Sequence, residues 1–221
     1  MINPTRLARA AALTVAVALL AAVGLHPTPL RADTDTEALL QELEGKSPEE
    51  RLRLLKITVD EGRSSKEIYF HLGNAYFAVN DVQGAILAFG KALELDPQYF
   101  KAAVNLALMY DEQESYPRAL EVFELAASIE PENPDVWSHM GNTYYAQGNY
   151  AKAMELYRKA LALDADATHA LYSVGVAFAD AGIFREAVRY WTRVSALEPE
   201  SELGRSAAEN VELLNRYLIP R

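Results

Sequence analysis

The feature that most constrains this chain is a strict internal repeat, which recurs four times without insertion or deletion. The rows of the repeat begin at equal intervals, at Lys66, Phe100, Pro134 and Thr168. Small residues occupy one column of this alignment: Gly73, Ala107, Gly141 and Gly175. Alanine or valine fills two more: Ala85, Ala119, Ala153 and Ala187, then Ala92, Ala126, Ala160 and Val194. A fixed period of this kind predicts a stack of similar supersecondary units.

Large aromatic residues fill two further columns: Tyr76, Tyr110, Tyr144 and Phe178, then Phe89, Phe123, Tyr157 and Trp191. Within each row, apolar residues recur at spacings of three and four, stop at a short turn and then resume. This pattern predicts two amphipathic helices per row. The turns read "NDV", "ESY", "GNY" and "GIF", and Gly148 and Gly182 supply the flexible backbone that a tight reversal favours. The sequence therefore predicts an all-α fold of four helix hairpins.

The segments "YFHLGNAY" (residues 69–76) and "WSHMGNTY" (residues 137–144), with the alanine and aromatic columns after them, resemble the tetratricopeptide repeat. The resemblance covers residues 66–201, well over half of the chain. Ala103, Ala165 and Val194 depart mildly from the consensus. The resemblance implies a right-handed α-solenoid of four tandem hairpins, here called units one to four: residues 66–99, 100–133, 134–167 and 168–201.

The segments that flank the repeats are expected to be helical caps. Residues 202–221 predict a C-terminal capping helix with one apolar face: Ala207, Val211, Leu214 and Leu218. Before the repeats, residues 33–65 predict an N-terminal helical cap or a degenerate repeat. Here "SPEE" at Ser47–Glu50 is typical of a capping-box helix start, the following helix places Leu52, Leu55 and Val59 on one face, and a shorter helix is expected around Glu37–Glu44.

The first 32 residues have the layout of a secretory signal. Arg6 and Arg9 precede an uncharged apolar run, Ala10–Leu25, and a small residue, Ala32, ends the segment. This run is shorter than the roughly 20 residues of a membrane-spanning helix. We therefore expect an exported protein, periplasmic or secreted, with an uncleaved N-terminal membrane anchor as the alternative.

The chain is strongly acidic. Its formal net charge is −10, and without residues 1–32, which contain three arginines and no acid, 31 acids face 18 bases, a net charge of −13. Such a balance repels phosphate backbones and argues against binding of nucleic acids.

The sequence contains no constellation typical of catalysis. It has no cysteine, no Gly-x-Ser-x-Gly nucleophile turn, no glycine-rich phosphate loop and no His-Glu-x-x-His zinc pattern. With 31 acidic residues in the chain, any single pair of carboxylates carries little specificity. We expect a protein that is not an enzyme, with no catalytic residue, no metal and no cofactor.

In tetratricopeptide arrays the first helix of each unit lines an inner groove where partners bind. Carried over residue by residue, the resemblance predicts partner-binding positions in all four units: Phe70, His71, Asn74, Phe77, Lys101, Asn105, Leu108, Ser138, His139, Asn142, Tyr145, His169 and Tyr172. The same face includes Glu67, Val104, Asp111, Asp135, Ser173, Val176 and Ala179. Aromatic residues with few charges favour a protein interface. The alternative for each side chain is packing between adjacent helices.

One subgroup of the family grips acidic C-terminal tails with a two-carboxylate clamp of lysines, asparagines and an arginine. Asn74 and Asn105 match that clamp, but Phe70, Asp135 and His139 stand where cations are required. The groove is therefore expected to bind an apolar or amphipathic segment, with Asn74 and Asn142 free to hydrogen-bond the backbone of a peptide.

Three of the four histidines, His71, His139 and His169, fall on helices that face the groove. His139 and His169 lie on neighbouring units in registers that could converge. Two histidines make an incomplete metal or haem site, so a polar groove lining is the preferred interpretation, with binding that depends on pH near neutrality.

These features predict a non-enzymatic scaffold or adaptor that binds a segment of another envelope protein, for assembly or maturation of a complex. The first alternative is a self-associating or membrane-anchored assembly platform. The second is a cofactor carrier that uses the histidines.

Overall fold

The computed structural model describes residues 32–217. This part of the chain forms eleven α-helices and no strand. The helices are α1 Ala32–Leu43, α2 Pro48–Asp60, α3 Lys66–Ala78, α4 Val82–Leu95, α5 Phe100–Glu112, α6 Tyr116–Ile129, α7 Pro134–Ala146, α8 Tyr150–Leu163, α9 Thr168–Asp180, α10 Phe184–Leu197 and α11 Glu202–Tyr217. The chain divides into two parts at the boundary between Lys46 and Ser47. The first contains α1, and the second contains the other ten helices.

The helices repeat with the period of the sequence. The first helices α3, α5, α7 and α9 begin at the first residue of each row and have 13 residues each. The second helices α4, α6, α8 and α10 have 14 residues each. Each first helix packs on its second helix, and each second helix packs on the first helix of the next unit. The prediction of an all-α solenoid is confirmed.

Small residues let the two helices of a unit approach closely. A Cβ added to Gly73 would lie 2.5 Å from the Phe89 ring, and one on Gly141 would lie 2.4 Å from the Tyr157 ring. Unit four repeats this contact between Gly175 and Trp191, also at 2.4 Å. The alanine columns beside these contacts are fully buried, at 0% exposure. Because these spaces admit no methyl group, glycine is a packing requirement in units one, three and four, whereas unit two has the fully buried Ala107 at this position.

The turn inside each unit requires a left-handed backbone at one repeating position. Asn80, Glu114, Gly148 and Gly182, which occupy the same place in successive units, have φ angles of 61°, 54°, 75° and 75°. In every unit the amide of the next residue donates a hydrogen bond to the carbonyl five residues earlier, as from Asn149 to Tyr144 at 2.9 Å. This backbone pattern closes the first helix and starts the reversal. Glycine suits the position best, but the turn also forms around Asn80 and Glu114.

The flanking helices have the apolar faces that the sequence predicts. In α2, the Ser47 side chain accepts a hydrogen bond from the Glu50 amide at 3.3 Å, which confirms the helix start. Leu55 of the same helix is 1% exposed. In α11, Ala207 and Leu214 are buried in the same cluster as Trp191 of α10. Leu218 of the predicted apolar face lies outside the described residues.

The predicted signal, residues 1–32, also lies outside the described residues except for Ala32, where α1 begins. None of the helices α1 to α11 combines the length and apolar composition needed to span a bilayer.

Candidate partner-binding groove

The candidate site is the surface formed by α3, α5, α7 and α9, here called the groove. Most of the predicted positions are accessible there, with Phe77, Lys101, Asn142 and His169 exposed. A second set is half-buried: Phe70, His71, Asn74, Asn105, Leu108, His139, Tyr145 and Tyr172.

Ser138 is the one predicted position that the structure removes from the groove. Its side chain is fully buried, and its hydroxyl donates to the Pro134 carbonyl one turn earlier at 2.9 Å. A small hydroxyl satisfied by its own helix fits a tightly packed interior. Ser138 therefore offers no contact to a partner, and its assignment to the groove is corrected.

Helices α7 and α9 are joined by a row of polar contacts, here called the polar seam. Within the described chain, three side-chain hydrogen bonds cross between them: His169 with Asp135 at 3.0 Å, Ser173 to Asn142 at 2.7 Å and Tyr145 to Asp180 at 2.6 Å. The donors and acceptors lie 31 to 35 residues apart in the sequence. The seam therefore fixes unit three against unit four along the groove.

The predicted convergence of His139 and His169 is present, with ring centroids 5.6 Å apart. His139 also stacks on Phe123 of the preceding unit, with centroids 5.9 Å apart and planes 10° from parallel. Helices α6, α7 and α9 thus place an aromatic ring, two imidazoles and the Asp135 carboxylate in one cluster. No group of three or more histidines and carboxylates in residues 32–217 is arranged to hold a metal ion.

The two histidines differ in the proton affinity that their surroundings impose. Burial lowers the pKa of His139 from 6.5 to about 4, with His169 as a smaller repulsive contribution. The hydrogen bond to Asp135 raises the pKa of His169, and the same bond lowers the pKa of Asp135. His139 is therefore neutral at physiological pH, whereas His169 gains its proton more readily than a free histidine.

Asn74 and Asn142 are already engaged by the protein itself. The Asn105 amide donates to Oδ1 of Asn74 at 3.0 Å. Oδ1 of Asn142 accepts from the Tyr157 hydroxyl at 2.8 Å and from the Ser173 hydroxyl at 2.7 Å. The expectation that both side chains are free for recognition is corrected for these oxygen atoms.

Several aromatic groove residues also belong to the packed interior. The Phe70 ring lies 5.8 Å from Phe89 and 5.5 Å from Tyr99. Tyr172 packs against Trp191, and its hydroxyl accepts from the Asn210 amide of α11 at 3.1 Å. Both rings therefore pack within their own units as well as facing the groove, and Tyr172 also contacts α11. Burial lowers the pKa of His71, the neighbour of Phe70 in the sequence.

Asp111 lies on the groove face of α5 in a poorly solvated position. Its Oδ1 atom is buried and has no hydrogen-bond partner within residues 32–217. Desolvation raises the pKa of this carboxyl group above its usual value, and the Thr143 hydroxyl opposes that shift less strongly. Asp111 therefore adds to the groove a negative charge that its surroundings stabilise poorly.

Sequence reasoning missed an apolar cleft at the turn end of the polar seam. It has a volume of about 440 Å³ and lies between Tyr145, Tyr150, Phe178 and Ile183. Only Tyr145 was predicted as a site residue. A signal was present in the repeat alignment, because Ile183 interrupts a column that is polar in the other units: Asp81, Ser115 and Asn149.

Two models of the tetratricopeptide repeat match the chain, at residues 70–134 and 112–174. The chain is a tetratricopeptide repeat protein. Proteins with this fold are in general non-enzymatic scaffolds for protein–protein interaction. The predicted fold class and the general role of an interaction scaffold are therefore supported.

Solved structures show the same fold. A structure of MamA from Desulfovibrio magneticus RS-1, comprising residue 41 to the end, is 25% identical, with a TM-score of 0.63 over 77% of this chain and 97% of that chain. The crystal structure of the APC/C hetero-tetramer Cut9–Hcn1 contains a chain that is 18% identical, with a TM-score of 0.70 over 86% of this chain and 38% of that chain. At 18% identity, the likeness to this second structure shows the fold alone.

A curated relative matches a shorter stretch. The general transcriptional corepressor trfA of Dictyostelium discoideum is 28% identical over 78 residues, which is 35% of this tetratricopeptide repeat chain and 6% of the corepressor. The match is thus confined to a small part of that protein, little longer than two repeats.

Proposed function

We propose that this protein is a non-enzymatic scaffold of the cell envelope whose groove binds an apolar or amphipathic segment of a partner protein during assembly or maturation of a complex. The observation that carries this proposal is the exposed surface of four phased first helices. It presents Phe77, at 47% exposure, and the half-buried Leu108 beside accessible amide and imidazole groups. Burial of such a surface favours binding by about 25 cal/mol per Å², less the cost of ordering the segment.

The proposed location rests on the N-terminal sequence. Basic residues followed by the apolar run Ala10–Leu25 are typical of an export signal. Fractionation of cells that produce the full chain, together with mass spectrometry of its mature N-terminus, tests this directly. We expect export with cleavage near Ala32, or a membrane-bound protein that retains the segment. A full-length protein in the cytosol would contradict export.

The groove is best tested at a residue that does not hold the fold together. Phe70 and Tyr172 both pack against interior aromatic rings, so their replacement would perturb stability as well as binding. Phe77 is exposed on α3, and Phe77→Asp is expected to weaken partner binding at least tenfold. Leu87→Asp is the matched control, because Leu87 is 72% exposed on the second helix α4, outside the groove.

Affinity capture with the wild type and both variants, each first checked for wild-type helicity, separates the alternatives. We expect Leu87→Asp to retain the partners of the wild type and Phe77→Asp to lose them. Equal capture by all three proteins would exclude the first half of the groove as the binding surface. Light scattering on residues 33–221 adds a test of self-association, since a strict monomer at high concentration would remove the platform alternative.

A further inference from the structure

The apolar cleft at the end of the polar seam has the properties of a site that receives a single large side chain. Its walls come from Tyr145 of α7, Tyr150 and Met154 of α8, Phe178 of α9 and the turn residue Ile183. The rings of Tyr145 and Tyr150 meet edge to face with centroids 4.8 Å apart. A volume of about 440 Å³ exceeds that of one aromatic side chain and falls in the range of ligand pockets.

Ile183, at the mouth of the cleft, departs from the repeat pattern without a gain in stability. Ile183 is the N-cap residue of α10 and makes no side-chain cap hydrogen bond. At the corresponding position, Asn149 accepts from the Lys152 amide at 3.3 Å and Asp81 accepts from the Gly84 amide at 2.8 Å, whereas Ser115 is polar but makes no such bond. An aliphatic residue at the N-cap position stabilises a helix less than asparagine does. Ile183 is also 48% exposed, so its apolar surface gains little from packing.

Tyr150, in the preceding unit, is also more exposed than its counterparts in the other units. It is 58% exposed, whereas the residues that begin the other second helices, Val82, Tyr116 and Phe184, are half-buried. Two large apolar side chains are therefore exposed at one cleft, where the other units use a polar or a covered residue. Such a local concentration of exposed apolar surface is typical of an interaction site.

The polar part of the cleft carries a negative charge. Asp180 is the one charged residue among the described residues that line it, and its Oδ2 atom accepts a hydrogen bond from the Tyr145 hydroxyl at 2.6 Å. Burial and the neighbouring Asp180 raise the pKa of Tyr145, so its hydroxyl remains a donor at physiological pH. The wider groove has the same sign, with Glu67, Asp111 and Asp135 against Lys101. A basic segment is complementary to this surface.

We propose that this cleft seats one leucine or aromatic side chain of a basic partner segment, whose adjacent lysine or arginine pairs with Asp180. The apolar side chain provides affinity by burial against Tyr150, Phe178 and Ile183, and the cation selects the partner and its orientation. This inference rests on the proposed scaffold function, and it adds the chemistry of the partner and the point where the partner is anchored.

A phage-displayed library of random peptides provides a test that needs no known partner. The library is selected on residues 33–221 of the wild type, and the enriched peptides are then synthesised and titrated by fluorescence anisotropy against three variants. Ile183→Asn changes the cleft while restoring the cap found at Asn149, so its melting temperature is not expected to fall. Asp180→Asn removes the charge but keeps an acceptor for Tyr145. Phe77→Asp changes the groove of unit one.

The proposal requires that enriched peptides contain a leucine or aromatic residue within two positions of a lysine or arginine. Their affinity is expected to fall about tenfold on Ile183→Asn, and on Asp180→Asn to fall several-fold and become less dependent on salt. Peptides that bind the Ile183→Asn and Asp180→Asn variants like the wild type, but lose affinity on Phe77→Asp, would overturn the cleft proposal and leave the scaffold function intact. Peptides unaffected by all three changes, or no enrichment at all, would overturn both.

Discussion

The first half of the array (units one and two) and the second half (units three and four) are built from the same kind of helix pair. The side-chain contacts along their groove surfaces differ. Between α3 and α5, the side-chain hydrogen bond found in the described structure is the one from Asn105 to Asn74 at 3.0 Å. Between α7 and α9, the polar seam supplies three such bonds and brings two imidazole rings within 5.6 Å. The apolar cleft also lies in the second half.

The interiors of units one and three are nearly identical. Gly73 faces Phe89 as Gly141 faces Tyr157, at 2.5 and 2.4 Å from a virtual Cβ. The difference at this contact is one hydroxyl group, because Tyr157 reaches Asn142 at 2.8 Å and phenylalanine cannot. Units one and three thus share the same helix packing. In unit three, the groove residue Asn142 is also hydrogen-bonded to the packed interior. Four predictions test how far this division holds.

The largest effect is expected from the shared interior. Phe89→Ala and Tyr157→Ala each remove an aromatic side chain that is 1% exposed, and each is expected to lower the free energy of unfolding by about 3–5 kcal/mol. Urea denaturation followed by circular dichroism measures both. A loss below about 1 kcal/mol in either half would contradict the equivalence of the two interiors.

The close helix approach is expected to matter next. Gly141→Ala forces a methyl group against the Tyr157 ring at 2.4 Å and should destabilise the protein by about 2–3 kcal/mol. Gly90→Ala is the matched control. Gly90 lies in the middle of α4, and no other atom lies within 4 Å of a Cβ placed on it. It should stabilise the protein by about 0.5–1 kcal/mol. Changes of equal sign in thermal melts of the two variants would refute the packing role of Gly141.

The two histidines of the second half should respond to pH with opposite signs. The pKa of His139 in the folded state is about 4, below its ordinary 6.5. Its contribution to stability is therefore complete above pH 6.5 and is lost as the pH falls. Relative to His139→Gln, the wild type should lose about 1–2 kcal/mol between pH 7 and pH 4.

The pKa of His169 is raised by Asp135, so its contribution is complete below pH 6.5 and is lost as the pH rises through the raised value. Relative to His169→Gln, the wild type should therefore gain stability when the pH falls from 8 to 6. Urea titrations of the three proteins between pH 4 and pH 8 measure both differences. Parallel pH profiles for the two variants would show that the histidine cluster does not have the described proton affinities.

The smallest effect is expected at the turn, where units two and three differ. Glu114 holds a φ of 54°, and Gly148 holds 75° at the same position of the next unit. Glu114→Gly should raise the free energy of unfolding by about 1 kcal/mol, and Gly148→Ala should lower it by a similar amount. No atom lies within 4 Å of a Cβ on Gly148, so the backbone angle is the cause that remains. Differential scanning calorimetry would detect opposite shifts, and shifts in the same direction would contradict this account.

The sequence by itself determined the number of units, the helices within them and the buried columns. A strict period with small and aromatic residues in fixed columns is compatible with few packings, because a helix pair buries its apolar face only against a similar neighbour. The fully buried alanines at 85, 119, 153 and 187 follow directly from that pattern. That the Tyr157 ring packs on Gly141 within one unit is known only from the structure.

Only the tertiary structure decided what each groove side chain does. Contacts across the polar seam join residues 31 to 35 positions apart, so neither the partners of Asn142 nor the proton affinities of His139 and His169 can be read from one helix. The same holds for Ser138, which a helical projection places in the groove and the packed neighbours bury. Ile183 lies between these two cases. The repeat alignment shows that an apolar residue is unusual at its position, but only the structure shows the cleft that its side chain lines.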